Sequence, residues 1–413
     1  MLDGSRRQTT AIVAGAAIAA IGLAVTIIAV FSRDEVSRRP PPTTAAGRAC
    51  PLNRGSMSAP DYFARADVSD LPTLDVPWVE RAVELDRGPS YGVRKGELRP
   101  VVSNQGPTGV GGSGIDHLGI PINDVDSSTP RLEFRKNVNP LSPEFLTGRV
   151  GSIMAYASIS DEGTYPDPTH LMFQGWPGPP TWDGYVFSVD RDSCLLYEQT
   201  NVRGLLPYDT ASQRFYPPIM ADAAVIWDLR DPSPDHGGGT RGVGGSQVPI
   251  SPLVVRFAEV ERAASGGAPI DHALHWFGVA CRGGNRVLGE AFVWPARFTD
   301  CGATVDEKSP PYGAWFRLRS DYPVDDLPPQ ARAVVKAMQT HGLILGDGGS
   351  QGYYMEPAPC PKLDDDPEQC WTSDSIAALE KIDVADLEAV DTSSLRADPK
   401  AGISDADYWH IRQ

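Results

Sequence analysis

Three acidic side chains lie beside aromatic rings or in exposed turns, and these are the first candidates for chemistry in this chain. They are Asp228 beside Trp227, Glu290 before Trp294, and Asp347 in the turn GDGGS. Glycosidases place two acids on either side of the scissile bond, one as general acid and the other as base or nucleophile. A glycan-acting hydrolase that uses Asp228 with Asp347 or Glu290 is therefore an alternative to the non-catalytic module that we expect from the tryptophans.

The tryptophans support the interpretation that we favour, because their flat faces suit the apolar face of a sugar. Trp227, Trp276 and Trp294 would then line the groove of a non-catalytic carbohydrate-binding module at the cell envelope. Large aromatic side chains are mainly core residues, however, and Asp228 could equally pair with Arg230 in a turn. A structural or protein-interaction scaffold is the third alternative. Two carboxylates about 5 to 9.5 Å apart in one cleft would favour the enzyme.

Two histidines, His272 and His275, lie three residues apart in a segment whose composition predicts a strand. Successive side chains of a strand point to opposite faces, so an odd spacing separates the two rings and they cannot share a metal ion. The chain also lacks an HExxH sequence. We therefore expect no metal and no cofactor, and in the hydrolase hypothesis His272 positions the substrate.

An unbroken apolar run from Ala11 to Phe31 predicts one membrane-spanning helix. About 21 residues at roughly 1.5 Å each match a hydrocarbon core of about 30 Å. A cleaved secretory signal is the alternative, but its apolar region usually has about 7 to 15 residues. The expected organisation is a short N-terminal segment (1–10), the helix (11–31), a proline-rich linker (32–49) and one domain (50–413).

All six cysteines follow this apolar run, and none has the CxxC spacing of a zinc or redox site. An even number of scattered cysteines is typical of disulfide-bonded proteins in oxidising compartments, with six buried thiols as the alternative. Two of the pairs that we favour would close short loops, and the third is what remains. These pairs are Cys360 with Cys370, Cys281 with Cys301, and Cys50 with Cys194. The sequence thus predicts a single-pass protein of the cell membrane whose C-terminal domain is extracytoplasmic.

The formal net charge of −16 bounds the choice of partners. It argues against contacts with the phosphates of a nucleic acid or with an anionic membrane surface. The partners that we expect are the membrane, through the N-terminal helix, and an envelope glycan or protein.

Short apolar or alternating runs, separated by Gly, Pro and Asp, follow one another from Arg149 onward. Their β-branched and aromatic content predicts strands, one of them over PLVVRFAEV (252–260). Eight such runs without helical periods between them indicate a mainly β domain, an antiparallel β-sandwich or jelly-roll-like structure. Helical spacing and end signals predict a few short helices, over 77–88, 328–342 and 375–390.

A further pattern consists of segments spread from about Tyr165 to Thr392. They are YPDP, VDRDSCLLYE, AAVIWDLR, VPISPLVVRFAEV, IDHALHW, YGAWFRLRSDY, AVVKAMQTHGLILGDGGS and AVDTS. Together they resemble a family of secreted bacterial proteins without an assigned activity. The resemblance covers more than half of the chain and implies a shared fold unit and an extracytoplasmic setting, without a reaction. The chain has Asp183-Gly184-Tyr185 where Asp-Arg-His is usual in that family.

Overall fold

The computed structural model describes part of the chain. The described residues are 47–86, 95–101, 119–136, 152–155, 163–174, 183–209, 211–212, 214–231, 242–278, 281–283, 291–302, 306–349, 352–356 and 371–395. The chain divides into the units Met1–Pro42 and Thr43–Gln413, and every described residue belongs to the second. The expected membrane helix (11–31) and Glu290 lie outside the described residues. Within the described ranges, no helix is both long enough and apolar enough to cross a membrane.

Strands dominate the described part of the chain, with four α-helices between them. The strands are β1 (Arg99–Val101), β2 (Ile122–Val125), β3 (Arg131–Lys136), β4 (Ser152–Ala155), β5 (Gly163–Pro166), β6 (Val186–Asp190), β7 (Leu195–Thr200), β8 (Arg203–Asp209), β9 (Arg214–Ala221), β10 (Ala223–Asp228), β11 (Leu274–Gly278), β12 (Trp315–Leu318), β13 (Leu343–Gly348), β14 (Gly352–Tyr354) and β15 (Leu387–Ala389). The helices are α1 (Trp78–Leu85), α2 (Phe257–Ala264), α3 (Pro329–Thr340) and α4 (Ser373–Leu379). The expectation of a mainly β domain with a few short helices is confirmed.

The strands form three sheets. Sheet A has the order β1-β14-β11-β13-β12-β15, sheet B the order β10-β7-β6-β2, and sheet C the order β5-β3-β4-β9-β8. Each sheet mixes parallel and antiparallel pairs: β11 runs parallel to β13, β2 to β6, and β3 to β4. The sheets are therefore not purely antiparallel, and a jelly-roll arrangement is not confirmed.

Sheet B is buried on both faces, as the alternation of side chains along β10 shows. Val225 and Trp227 belong to an apolar cluster that includes residues of β11 and β14 in sheet A. Ala224 and Ile226, which point the other way, pack with residues of β5 and β9 in sheet C. Because side chains alternate across a strand, this division places sheet B between the other two sheets.

The helices cover the opposite face of sheet A. Val334 and Met338, four residues apart on α3, are fully buried in the largest apolar cluster together with Trp276 and Phe316 of sheet A. The rings of Trp276 and Phe316 meet edge to face at 4.7 Å. The described part of this unit thus has four layers, in the order helices, sheet A, sheet B and sheet C.

The structure confirms the predicted helices, but one predicted strand is wrong. Helices α1, α3 and α4 overlap the predicted segments. The predicted strand at 252–260 is instead a 3-10 turn, Ser251–Leu253, followed by the start of α2. The carboxylate of Glu259 explains this, since it accepts the backbone N–H of Arg256 at 2.7 Å and caps the first turn of the helix.

Two disulfides join distant parts of the described chain. Cys50 pairs with Cys194 and Cys281 with Cys301, with Cα–Cα distances of 5.8 and 6.0 Å. Both pairings agree with those expected from the sequence. The remaining pair, Cys360 and Cys370, lies outside the described residues.

Candidate active site

Asp228, the first acid singled out from the sequence, is a structural ion-pair partner. It ends β10 with 1% of its surface exposed. Its Oδ1 accepts Nε of Arg230 at 2.7 Å and its Oδ2 accepts Nη2 of the same residue at 3.0 Å. Both oxygens of this buried carboxylate thus bind a residue of the same turn. We therefore assign Asp228 to the positioning of Arg230 rather than to substrate chemistry.

His272 is also enclosed. Its Nε2 lies 3.0 Å from Oε1 of Glu259, and its Nδ1 lies 2.8 Å from the carbonyl oxygen of Ala273. Burial alone would raise the pKa of Glu259, but the charges of Arg256 and His272 outweigh it and lower that pKa to about 2. Both side chains are buried. The pair therefore fastens α2 to the segment before β11 and leaves His272 no route to a substrate.

His275 lies inside β11 and has a different environment. Its ring is fully buried, stacks on Tyr354 at 5.3 Å and lies against the backbone of Gly346. Burial lowers its pKa to about 3, so the ring is neutral. Within the described ranges, no group of three or more His, Cys, Asp or Glu side chains is arranged to hold a metal ion.

The tryptophans proposed as a sugar platform are core residues. Trp227 in sheet B and Trp276 in sheet A have 0% of their surface exposed and belong to two separate apolar clusters. Trp294 is partly buried and packs edge to face on Phe63 at 5.5 Å. The expected groove lined by Trp227 and Trp276 is therefore corrected, because neither ring has a face that a sugar could reach.

Asp347 has the position expected of a reactive acid. It is the fifth of the six residues of β13, near the C-terminal end of a central strand of sheet A, and the residue is only partly buried. Its Oδ1 accepts the backbone N–H of Gly348 at 2.8 Å, and its Oδ2 accepts the hydroxyl of Tyr185 at 3.3 Å. The carboxyl group is thus oriented from both sides.

A second carboxylate, Asp300, lies next to Asp347. A β-carbon placed on Gly245 would stand 2.7 Å from Oδ1 of Asp300 and 2.7 Å from Oδ1 of Asp347. These two oxygens are therefore separated by at most twice that distance, about 5.4 Å. Asp300 is exposed, so the pair faces solvent. Gly245 has no side chain at the point where the two acids converge.

The two acids differ in their electrostatic environment. Burial raises the pKa of Asp347 to about 7, with further increases from the charges of Asp300 and Asp183, while the N–H groups of Gly245 and Gly348 act in the opposite direction. A carboxyl group with this pKa holds its proton up to neutral pH. Asp347 can therefore act as a general acid beside a second carboxylate.

Tyr312 positions Asp300. The tyrosine is 1% exposed, and its hydroxyl donates to Oδ1 of Asp300 at 2.9 Å. Burial, then the charges of Asp347 and Asp300, raise the pKa of Tyr312 well above its usual value. The hydroxyl thus stays protonated and donates to the carboxylate at every working pH.

Three chain segments bring these groups together. Ser246 donates its backbone N–H to the carbonyl oxygen of Gly346 in β13 at 3.0 Å. Its own carbonyl oxygen accepts the backbone N–H of Arg297 at 2.9 Å. The loop that carries Gly245 is thereby clamped between β13 and the segment leading to Asp300, which the disulfide at Cys301 anchors.

Sequence reasoning identified Asp347 but missed Asp300, Tyr185 and Tyr312. Two local signals were available. Asp300 directly precedes a disulfide-bonded cysteine, and the consecutive glycines Gly244 and Gly245 allow close approach of a backbone to another group. Comparisons with models of protein families, with curated proteins and with solved structures found no match to this chain.

Proposed function

We propose that this protein is a glycan-acting hydrolase whose catalytic pair is Asp347 and Asp300. The observation that carries the proposal is their separation: Oδ1 atoms at most about 5.4 Å apart, beside a pKa of Asp347 raised to about 7. Retaining glycosidases hold their two carboxyl groups about 5 to 5.5 Å apart, whereas inverting enzymes need roughly 6.5 to 9.5 Å. An upper bound of about 5.4 Å lies below the inverting range, and this supports the retaining mechanism over the inverting one.

In this mechanism Asp347 is the general acid and Asp300 the nucleophile. The proton of Asp347 passes to the leaving-group oxygen as the glycosidic C–O bond breaks, and an oxygen of Asp300 bonds to the anomeric carbon. Asp347, now a carboxylate, takes a proton from water, and the oxygen of that water displaces Asp300. Tyr312 keeps the nucleophile oriented through both steps.

The proposed setting is the cell envelope. The apolar run at 11–31 would anchor the chain in the cell membrane, and residues 50–413 would lie outside the cytoplasm. The disulfides Cys50–Cys194 and Cys281–Cys301 support an oxidising compartment. The substrate class that fits this setting is an envelope glycan.

The non-catalytic alternatives have less support from the geometry. A carbohydrate-binding module would use exposed rings, but Trp227 and Trp276 are enclosed in the core. A scaffold for protein partners would not require an acid with a raised pKa beside a second carboxylate. Both alternatives make a distinct prediction in the experiment below.

The experiment uses the full-length protein, purified under oxidising conditions and incubated with a panel of envelope glycans, with products read by mass spectrometry. We expect release of a defined sugar with its anomeric configuration retained. Asp347→Asn and Asp300→Asn should each lower kcat at least about hundredfold. The exposed Asp70, changed to Asn, is the matched control and should leave kcat unchanged.

The pH profile supplies a further test of the roles. The general acid must be protonated, so the rate should fall as the pH rises through about 7, the pKa of Asp347. Release that persists in both variants would reject this catalytic pair. Binding without release would favour the module, and the absence of both would favour the scaffold.

A further inference from the structure

A pocket with several charged side chains in its lining lies where the N-terminal part of the described domain meets Arg230 and Asp271. Its volume is about 460 Å³, within the range of small-molecule sites. Asp271 precedes β11, whereas Asp347 pairs with Phe277 near the end of that strand. The residues that line the pocket include neither Asp300 nor Asp347. The pocket and the carboxylate pair are therefore separate sites.

The charge of the pocket lining has the opposite sign to the net charge of the protein. The chain carries a formal charge of −16, yet the pocket lining has four arginines and only two aspartates, with the buried Asp228 behind the lining as the partner of one of these arginines, Arg230. The arginines are Arg48, Arg54, Arg65 and Arg230, and the aspartates are Asp61 and Asp271. In a protein that repels anions overall, such a lining favours a small anionic solute.

Two of the arginines are held in place by the two aspartates. Arg48 makes a two-pronged contact with Asp61, with both N–O distances 2.8 Å. Arg65 donates to Oγ of Ser56 at 2.5 Å and pairs with Asp271 at 2.6 Å. Each carboxylate retains lone pairs that could accept a ligand hydroxyl. In each of these two ion pairs the pocket has a carboxylate acceptor next to a guanidinium, and each group holds the other in place.

The other two arginines have donors to offer. Arg230 uses Nε and Nη2 on the buried Asp228. Arg54 is exposed and, among the described residues, makes no ion pair or side-chain hydrogen bond. A guanidinium has five N–H donors in a planar fork that matches the oxygens of a carboxylate or phosphate. Arg54 can therefore donate to an oxyanion in the pocket, beside the guanidinium of Arg230, which Asp228 holds in a fixed orientation.

We propose that this pocket binds a small acidic sugar, a hydroxylated molecule with one carboxylate or phosphate group. Arg54 and Arg230 take the oxyanion, while Asp61 and Asp271 accept ligand hydroxyls. The pocket volume suits one or two sugar rings. The assignment is independent of the hydrolase proposal, because none of these residues belongs to the carboxylate pair.

The test is isothermal titration calorimetry of the full-length protein with three probes: glucuronic acid, glucose 6-phosphate and glucose. We expect at least one acidic probe to bind with a Kd of about 1 mM or tighter and neutral glucose to bind at least tenfold more weakly. The stronger acidic probe identifies whether the oxyanion is a carboxylate or a phosphate. Higher salt should weaken binding of the acidic probe.

The informative variant is Arg54→Ala, since this side chain supports no described contact and its loss should leave the fold intact. It should weaken the Kd for the acidic probe about tenfold, and Arg54→Lys should restore part of the loss. Arg191→Ala removes another exposed arginine, which pairs with Asp124 outside the pocket, and should not change the Kd. Failure of both acidic probes to bind, equal binding of glucose, or equal Kd values for the two alanine variants would overturn the proposal.

Discussion

Tyr312 and Asp300 form a hydrogen bond of 2.9 Å in which a buried hydroxyl holds an exposed carboxylate. The same hydroxyl lies 2.9 Å from the point where a β-carbon on Gly348 would stand. Tyr312 thus lies under the turn that follows Asp347. One buried tyrosine supports both acids, and the position of each acid depends on the packing beneath it.

Gly245→Ala should disable the carboxylate pair. The added β-carbon would lie 2.7 Å from an oxygen of each acid, closer than real contacts allow, so at least one carboxylate must move. A displacement of about 1 Å in a catalytic group can cost about hundredfold in rate. Steady-state kcat of the glycan hydrolysis is the measurement.

Gly302→Ala is the matched control for this change. Among the described residues, apart from its chain neighbours, no atom lies within 4 Å of a β-carbon at that position, so its kcat should equal that of the unchanged protein. If both alanine variants keep the full rate, the two acids do not converge at Gly245 in the working enzyme.

Buried carboxyl groups should make the protein more stable at mildly acidic pH. Glu198 accepts the backbone N–H groups of Ile250 and Ser251 at 3.0 and 2.6 Å, but burial dominates and raises its pKa to about 7. Burial likewise raises the pKa of Glu356 to about 8. The folded state then binds more protons than the unfolded state above the usual glutamate pKa, so the free energy of unfolding falls with rising pH.

Glu198→Gln removes one of these titrations and keeps an oxygen acceptor for the two N–H groups. Between pH 5 and pH 8 the unchanged protein should lose roughly 2 to 4 kcal/mol more than the variant, since one pKa unit is worth about 1.4 kcal/mol. Urea unfolding at the two pH values measures this difference. Glu80→Gln, at an exposed site, should retain the full pH dependence, and a similar result for both variants would contradict the assignment.

Asp228→Asn should affect stability rather than turnover. The change leaves the guanidinium of Arg230 without its charged partner in a largely buried setting. Loss of one member of such a pair costs about 3 kcal/mol. Urea unfolding should show this loss, while kcat measured well below the transition stays unchanged. A large fall in kcat with normal stability would return Asp228 to the catalytic candidates.

The two disulfides should have different effects when removed. Cys50–Cys194 closes a loop with a sequence separation of 144, and Cys281–Cys301 one of 20. By chain entropy the longer loop stabilises by about 5 kcal/mol and the shorter by about 3 kcal/mol. Replacing both cysteines of each pair with Ala, followed by urea unfolding, should show the larger loss for Cys50–Cys194.

The loss of kcat should be larger for the variant that loses less stability, the one without Cys281–Cys301. Cys301 directly follows Asp300, so the loss of the shorter disulfide should lower kcat even where the protein remains folded. The variant without Cys50–Cys194 should keep its kcat under the same conditions. Equal kcat values in the two variants would show that the disulfide does not position Asp300.

Local sequence was sufficient for the features that depend on near neighbours. Proline at the first turn and apolar residues at helical spacing located α3, and strand composition indicated a mainly β domain. Short spacing selected Cys281 with Cys301 and Cys360 with Cys370, which left Cys50 with Cys194 as the third pair. The structure shows the first and the third of these disulfides. Local composition was insufficient at 252–260, where the cap from Glu259 favours a helix over the strand expected from its β-branched residues.

The candidate site depends on contacts between residues far apart in the chain. Sequence alone identified Asp347 as an acid in a turn, but Trp227 and Asp228 also had a plausible composition for a site. The tertiary structure buries those two between packed sheets and brings Asp300 to Asp347 across Gly245. Periodicity reports which face of an element is apolar, whereas the stacking of three sheets decides which acid meets another and which remains in contact with water.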